Sequence, residues 1–311
     1  MKIGQCSYQN NNYIIVVDES GVYRIENDYL VNTQDLIIQA GKIPLSEYVK
    51  KLINKEGVKI ASSEDLLMQK GYILQRPIDM PEAWAAGVTY RRQALEHDQD
   101  LRENKGKTDD LYQYVYENER VEVFFKGLSR SIVGSGEELW LRGDSTLVMP
   151  EAELVMVIGN NGLPVAYTLG NDLTAWDIES ECPLYLNQAK IWTGSGSVGP
   201  WMIPVESVST PYDFNLRCIV RRGGKVVLNV AGSTSGIKRS MEELCHYMNY
   251  SNCVPPGTVL YTGTTCVIDH DFGLEKGDFV EISTPLIGAL QNNINVHVKE
   301  RRDFPILEGE I

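Results

Sequence analysis

Residues 151–172 of the chain are EAELVMVIGNNGLPVAYTLGND, two apolar runs separated by a turn. The turn contains Asn161-Gly162, the dipeptide that most favours a two-residue type I′ loop between antiparallel strands. The run 154–158 is apolar on both faces, which is typical of a strand that is buried on both sides. The stretch therefore predicts a β-hairpin in the interior of a sheet.

This hairpin brings acidic residues together at its open end. Around a two-residue loop at Asn161-Gly162, the numbers of facing residues add up to 323, so Glu151 lies opposite Asp172. Alternation along the strand places Glu153 on the same face as Glu151. We refer to Glu151, Glu153 and Asp172 as the carboxylate triad.

The carboxylate triad predicts a metal site. Three negative charges at short range raise each other's pKa, and a bound divalent cation removes this cost. Ligands that are all oxygen favour Mg²⁺ over zinc, with Mn²⁺ and Ca²⁺ as further candidates. Three protein ligands leave coordination positions open for a substrate. The alternative interpretation is a group of solvated carboxylates at a strand end, which would follow if a bulge shifted the register by one residue.

Outside the hairpin, many short β-type runs and few helices follow one another, which predicts the α+β class with a β-rich core. Residues 1–78 are expected to form a small N-terminal α+β domain and residues 79–311 a catalytic, metal-binding domain. Residues 91–118 are charged, and we predict a helical lid there, interrupted near Gly106.

Composition and charge narrow the classes of partner. The chain has 311 residues and a formal net charge of −13, which argues against nucleic acid and against an anionic membrane surface. Its opening residues lack the apolar core of a secretion signal, and no run approaches the roughly 20 apolar residues of a membrane span. Six scattered cysteines without a CxxC pair are typical of free thiols, so we expect a cytoplasmic protein.

Several motifs resemble the fumarylacetoacetate hydrolase superfamily. They are Leu147–Ile158 (LVMPEAELVMVI), Asn171–Asp177 (NDLTAWD), Lys190, Gly199-Pro200 and Thr262-Gly263-Thr264. The resemblance spans roughly residues 81–298. It implies the β-rich mixed roll of that family's C-terminal domain, metal binding by the carboxylate triad, and a homodimer or homotetramer.

Within the superfamily, three further segments look most like the enzymes that remove water from 2-keto-3-deoxy sugar acids. These segments are Glu122–Lys126 (EVFFK), Arg142–Ser145 (RGDS) and Pro183–Ile191 (PLYLNQAKI). This resemblance implies a Mg²⁺-dependent hydro-lyase that converts a small 2-keto acid, a 2-keto-3-deoxy pentonate, to 2,5-dioxopentanoate.

The resemblance also implies roles for individual residues. Glu122 and Lys190 match the acid/base pair, and the substrate-binding segments are matched by Thr89, Tyr90, Phe124 and Lys190. Thr264, beside a glycine turn, is a further candidate substrate contact. The chain departs from the family pattern in one place.

That departure is Trp176, which precedes Asp177 where many relatives carry an arginine. It puts a contact between the protein and a substrate carboxylate in doubt.

Dehydration of such an acid needs a base that takes the C3 proton and an acid that protonates the C4 hydroxyl. A lysine beside a metal in a closed site has a lowered pKa and acts as a neutral base, which favours Lys190 for the first task. Glu122 stands just before an apolar strand and is the predicted acid.

Two other functions remain open at this point. One is a hydrolase that cleaves a carbon–carbon bond of an acylpyruvate or diketo acid. Family hydrolases carry a His–Glu pair on the lid, whereas this lid offers His97, whose neighbour Glu96 cannot share a helical face with it. The other is a metal-stabilised scaffold or binding protein without catalysis, which the presence of Glu122 and Lys190 disfavours.

Overall fold

The protein is described by a computed structural model that covers residues 1–106 and 110–298. Residues 107–109 of the predicted lid and residues 299–311 of the predicted catalytic domain lie outside the described residues. The helices are α1 (Thr33–Ala40), α2 (Leu45–Glu56), α3 (Glu64–Gln69), α4 (Arg91–Lys105), α5 (Leu111–Glu117), α6 (Trp176–Glu179), α7 (Leu186–Lys190) and α8 (Met241–Asn249).

The strands are short and numerous, as the sequence predicts. They are β1 (Lys2–Tyr8), β2 (Asn11–Asp18), β3 (Gly21–Ile25), β4 (Gly57–Ala61), β5 (Ile73–Leu74), β6 (Glu82–Gly87), β7 (Glu122–Leu128), β8 (Ile132–Val133), β9 (Glu138–Leu141), β10 (Val148–Met149), β11 (Ala152–Ile158), β12 (Pro164–Asp172), β13 (Thr174–Ala175), β14 (Gly196–Pro204), β15 (Asn215–Arg222), β16 (Lys225–Ser233), β17 (Val259–Thr264), β18 (Phe279–Thr284) and β19 (Gly288–Val296). This β-rich composition confirms the predicted α+β class.

The strands form two main sheets. The larger sheet has the order β4-β3-β2-β1-β14-β12-β11-β17-β6-β7, with β5 paired to β1 and β8 to β14. The second sheet has the order β16-β15-β18-β19-β9, and β10 pairs with β13 separately. The hairpin β11–β12 therefore lies in the interior of the larger sheet.

The register of β11 and β12 matches the prediction at the end that carries the acidic residues. Ala152 pairs with Asn171 and Val157 with Ala166, both with the predicted sum of 323. The prediction of a two-residue loop, in contrast, is wrong. The N–H of Gly159 donates to the carbonyl of Leu163 (2.8 Å), which leaves a three-residue loop, and one extra residue in β12 restores the register.

Strand β11 is buried on both faces because two hydrophobic cores meet on it. Leu154 and Met156 belong to the core beneath the second sheet. Val155 and Val157 belong to a core that α1 and α2 cover, through residues such as Leu36. The apolar residues on both faces of the sequence thus have a direct structural cause.

The N-terminal part of the chain extends the larger sheet. Strand β1 pairs antiparallel with β14, at Ile3 and Met202, so one sheet runs through both predicted domains. Helix α1 is capped by Asn32, whose side chain accepts the N–H of Asp35 in a capping box. The boundary between residues 78 and 79 stays a prediction.

The lid is helical on either side of its interruption. Helix α4 ends at Gly106, which has a left-handed backbone (φ 64°) that ends helices at little steric cost. Helix α5 follows, and its backbone is fixed by Asp98, which accepts the N–H groups of Tyr112 (3.0 Å) and Gln113 (2.8 Å). In the described parts of the chain, every helix is too short or too polar to cross a bilayer.

Candidate metal and catalytic site

The carboxylate triad converges at the open end of the β11–β12 hairpin. One carboxylate oxygen from each residue lies within 4.8 Å of the others. Glu153 and Asp172 are only 2% and 1% exposed, and Glu151 is partly buried. The main-chain N–H of Asp172 donates to the carbonyl of Glu151 (3.0 Å), which fixes the two strands at this point. The structure therefore brings together the three residues that the register predicts.

The chemistry of this cluster suits a hard divalent cation. Burial raises the pKa of Glu153 well above its usual value, and the charges of Asp172 and Glu151 raise it further. Every ligand atom is a carboxylate oxygen, as Mg²⁺, Mn²⁺ and Ca²⁺ prefer. The residues present therefore fit a bound cation, which would offset the repulsion among them.

Lys126 lies behind the triad, and sequence reasoning assigned it no role. Its ammonium is fully buried, 2.5 Å from the Asp172 carboxylate. It also donates to the carbonyls of Leu173 (3.3 Å), Ser195 (3.1 Å) and Lys190. A lone lysine inside the apolar strand EVFFKGL was the available sign, because a lysine is rarely buried without an anion.

Lys190 lies on the other side of the triad. Its ammonium donates to Thr174 Oγ1 (2.6 Å) and Glu151 Oε2 (3.0 Å), and it is 3.6 Å from Asp172. Burial alone would lower the pKa of Lys190, but the charges of Asp172 and Glu151 outweigh it and raise this pKa well above its usual value. The predicted lowering of the Lys190 pKa is therefore wrong for the protein chain alone.

Glu122 begins β7 and points into the same space. Burial raises the pKa of its carboxyl group above its usual value, although the charge of Lys190 acts in the opposite direction. Gly87 faces it across the sheet, and a Cβ there would collide with the Glu122 carboxylate. A glycine at this position thus makes room for a carboxyl group that tends to keep its proton.

These residues line one cavity, which we call the site cavity. Its lining includes the carboxylate triad, Glu122, Phe124 and Lys190. Its remaining polar wall consists of Gln93, His97, Tyr112 and Glu179. The free volume is about 20 Å³, enough for about one water molecule, so the cavity in this conformation is too small for a five-carbon acid.

The other predicted substrate contacts lie around this cavity. Thr89 is buried and donates to the carbonyl of Thr262 (2.7 Å), and Tyr90 is buried with a hydroxyl that has no partner. Neither residue belongs to the cavity lining, whereas Phe124 does. Thr264 lines an adjoining space and bonds to the main chain of β11. The substrate roles of these residues stay predictions.

The turn at Gly263 supports the triad directly. Its N–H donates to Glu153 Oε2 (2.7 Å), and its backbone has a φ of 95°, which favours glycine. A Cβ at this position would collide with the hydroxyl of Thr89. The Thr89 hydroxyl therefore packs against Gly263, where only a glycine leaves room for it. This packing fixes the turn whose N–H holds Glu153.

Trp176 forms part of an aromatic cluster that spacing could not predict. Its indole N–H donates to Asp100 (2.9 Å), and its ring stacks on His97 and His270. The two histidines lie 173 positions apart in the chain, and their ring nitrogens are 2.9 Å from each other. The lid histidine is thus paired with another histidine, and Trp176 contributes no charge.

Known proteins resemble this chain in sequence and in structure. The family model for the fumarylacetoacetate hydrolase C-terminal domain matches residues 83–295. A "2-dehydro-3-deoxy-D-arabinonate dehydratase" of Saccharolobus solfataricus is 33% identical over 84% of this chain and 90% of its own length. A "Probable 2-keto-3-deoxyxylonate dehydratase" of Haloferax volcanii is 39% identical over 70% of this chain and 73% of its own.

Among solved structures, a 2-keto-3-deoxy-D-arabinonate dehydratase complexed with magnesium and 2,5-dioxopentanoate superposes with a TM-score of 0.79. It is 30% identical, and the superposition covers 96% of this chain and 100% of that one. These similarities confirm the predicted fold and the predicted likeness to sugar-acid dehydratases. The chain belongs to the fumarylacetoacetate hydrolase family.

Proposed function

We propose that this protein is a Mg²⁺-dependent hydro-lyase that converts a 2-keto-3-deoxy pentonate to 2,5-dioxopentanoate. One observation carries the proposal: a single buried cavity contains the carboxylate triad, Lys190 and Glu122. The relatives named as dehydratases of such acids, one of them complexed with magnesium and this product, support the same reaction.

The carboxylate triad would hold the metal ion. When bound, a divalent cation supplies a Lewis acid that stabilises negative charge developing on the 2-keto oxygen of the substrate. Lys126 keeps Asp172 oriented from behind, and the Gly263 N–H does the same for Glu153. These contacts fix the ligand oxygens before a cation arrives, so little reorganisation is needed on binding.

Lys190 and Glu122 would move the protons. Burial favours the protonated form of Glu122, which suits a group that donates a proton to the departing C4 hydroxyl. Lys190 would then take the C3 proton in its neutral form. A cation held by the carboxylate triad would offset the charges of Asp172 and Glu151 that raise the pKa of Lys190 in the protein chain alone. The electrons of the C3–H bond form the C3–C4 double bond, and the C4 hydroxyl leaves as water. A proton then moves from C5 to C3, which gives the C4–C5 enol, and a second proton moves from the enol hydroxyl to C4, which gives the aldehyde of the product.

The lid would exclude bulk water during this chemistry. Its residues Gln93, His97 and Tyr112 close one side of the site cavity. A dry site strengthens each electrostatic interaction and keeps water from competing for the protons. Lid opening is therefore required for the binding of substrate and the release of product.

The hydrolase alternative has one observation in its favour, because a lid histidine does border the site cavity. His97, however, is paired with His270 rather than with a glutamate. Burial lowers the pKa of His97 well below its usual value, and the charge of His270 lowers it further. The arrangement differs from the His–Glu pair expected of a hydrolase, and dehydration remains the better supported reaction.

Turnover distinguishes these functions. The purified protein should form 2,5-dioxopentanoate from 2-keto-3-deoxy pentonates with Mg²⁺, and EDTA or Glu151→Gln should abolish this activity. Glu181→Gln is the matched control, because Glu181 is exposed on the surface. Pyruvate release from an acylpyruvate without dehydration would instead establish the hydrolase. Magnesium uptake by calorimetry without either reaction would establish the scaffold.

The assembly and location of the protein are further proposals. We propose a cytoplasmic location, in line with the unpaired cysteines, and a homodimer or homotetramer, as the resemblance to the family implies. Light scattering of the purified protein checks the second point, and a monomer at micromolar concentration would contradict it.

A further inference from the structure

Two side chains of the site cavity have hydrogen-bond acceptors that the protein leaves unused. Gln93, on lid helix α4, is 7% exposed, and its Oε1 has no partner. Glu179, at the end of α6, is 8% exposed, and its Oε2 has no partner either. Both residues line the site cavity that also contains the carboxylate triad.

Buried acceptors in the site cavity that have no partner in the protein need a hydrogen-bond donor from a ligand or a water molecule. A buried polar atom without a partner costs about 1–3 kcal/mol, and this cost persists until a ligand or water supplies a hydrogen bond. The other oxygen of Glu179 is fixed, because it accepts the hydroxyl of Tyr112 at 2.9 Å. The carboxylate is therefore held with one oxygen bonded and the other available for a ligand.

The charges around the cavity decide which ligand groups fit. Among the described residues that line it, Lys190 is the one lysine or arginine, and it already bonds to Glu151 and Thr174. The His97 imidazole is kept neutral by burial. A second carboxylate on the substrate would find no uncommitted cation here and would lose its hydration beside the buried carboxyl groups of Glu122 and Glu179. A hydroxyl group, in contrast, can donate to Gln93 Oε1 or to Glu179 Oε2.

We propose that Gln93 and Glu179 form a subsite for the hydroxyl group at C5 of the substrate and exclude substrates with a carboxylate there. This inference rests on the proposed function, since it concerns the end of the sugar acid that does not react. It predicts selectivity for a neutral, hydroxylated 2-keto acid over a dicarboxylic one.

Three substrates that differ only at C5 test the subsite. They are a 2-keto-3-deoxy pentonate, with CH₂OH at C5, 4-hydroxy-2-oxopentanoate, with CH₃, and 4-hydroxy-2-oxoglutarate, with a carboxylate. All retain the C3 hydrogens and the C4 hydroxyl that the reaction needs. We expect kcat/KM to fall at least about 100-fold when the hydroxyl is replaced by hydrogen, since the acceptors are then unpaired, and to fall further with the carboxylate.

Variants assign the effect to the two residues. Gln93→Leu should reduce the advantage of the hydroxylated substrate over the methyl analogue to about 10-fold or less. Above about pH 7, where the Glu179 carboxyl group is ionised, Glu179→Gln should relieve the penalty against the carboxylate, because one negative charge is removed. Gln99→Leu on the same helix and Glu181→Gln are matched controls at exposed positions, and both should keep the wild-type order.

Binding is measured alongside turnover, so that failure of the subsite and failure of the proposed function are separate results. Calorimetry with Mg²⁺ should give the affinity order hydroxyl, methyl, carboxylate even if the wild-type protein dehydrates none of the three acids. Equal affinities for the three acids overturn the subsite, whatever the turnover. Dehydration with equal kcat/KM for all three also overturns it, and leaves the proposed function intact.

Discussion

The ammonium of Lys126 lies 2.5 Å from the carboxylate of Asp172, and both side chains are completely buried. Three main-chain carbonyls surround the same ammonium, so its position is fixed by the fold and not by the ligand. The ion pair holds the Asp172 carboxylate in one orientation. Lys126 is therefore a positioning residue for the carboxylate triad, and it does not itself line the site cavity.

Replacement of Lys126 by methionine should expose this role. The variant removes the closer of the two cations beside the buried Asp172 and leaves Lys190 at 3.6 Å, and loss of one partner of a buried ion pair typically costs about 3–5 kcal/mol of unfolding free energy. Added Mg²⁺ should recover part of that loss, because a cation on the triad replaces the missing charge. Urea denaturation with and without Mg²⁺ measures both effects. Lys276→Met, at an exposed position, is the control, and equal stability of the two variants would contradict the prediction.

Glu179 should make the stability of the protein depend on pH. Burial raises the pKa of Glu179 from 4.5 to about 7, so the folded chain keeps a proton that the unfolded chain releases between these values. The contribution of Glu179 to the free energy of unfolding therefore falls as pH rises from about 4.5 to 7. Glutamine removes this dependence while its oxygen still accepts the Tyr112 hydroxyl.

The stability of Glu179→Gln relative to wild type should accordingly increase with pH, by up to about 3 kcal/mol between pH 5 and pH 8. Urea denaturation of both proteins in the presence of EDTA provides the measurement. Glu181→Gln should follow the wild-type profile. Parallel profiles for wild type and Glu179→Gln would show that the buried carboxyl group titrates in the same range in both states.

The separate roles of Lys190 and Glu122 predict different isotope exchange at C3. In D₂O, Glu122→Gln should slow dehydration by about 100- to 10,000-fold but still exchange the C3 hydrogen, because the base remains. Lys190→Met should lose both dehydration and exchange. Mass spectrometry of recovered substrate measures the exchange, and the opposite pattern would reverse the two roles. Calorimetric binding of Mg²⁺ to Glu122→Gln checks that the triad is intact.

Gly263→Ala should weaken the metal site through the backbone. The new Cβ would meet the hydroxyl of Thr89, and the N–H that holds Glu153 would move with the turn. Gly277→Ala is a matched control, since Gly277 also has a positive φ (88°) and no atom within 4 Å of the added Cβ. Both variants should lose about 1–3 kcal/mol of stability from backbone strain.

Only Gly263→Ala should also bind Mg²⁺ more weakly, by about 10-fold or more, because it alone displaces a group that orients a metal ligand. Calorimetric titration of the two variants and the wild-type protein makes the comparison. Equal Mg²⁺ affinity in both variants would mean that the Gly263 N–H does not orient Glu153.

The metal end of the site was predictable because it depends on local geometry. Alternation and a tight turn determine which residues face one another across a hairpin, and Ala152 pairs with Asn171 as expected. The loop type was not predictable to the same degree. Gly162 does take a positive φ (73°), but as the last residue of a three-residue loop, and the extra residue in β12 compensates for it.

The other parts of the site depend on contacts that spacing does not reveal. Lys126 and Asp172 come from strands that are not neighbours in the sheet, and His97 meets His270 across 173 positions of the chain. Gln93 was indistinguishable in the sequence from the other polar residues of a charged helix. Its position in the cavity becomes visible only when the helix is placed against the sheet.

The two cores that meet on β11 have an evolutionary consequence. Val155 and Val157 fit the N-terminal helices while Leu154 and Met156 fit the second sheet, and Glu153 is the next residue along this strand. A change in the apolar N-terminal residues therefore alters the packing of β11, the strand that contains Glu153. A different N-terminal segment would have to present an apolar face of matching shape to β11, so substitutions in the N-terminal helices and in β11 are expected to compensate for one another.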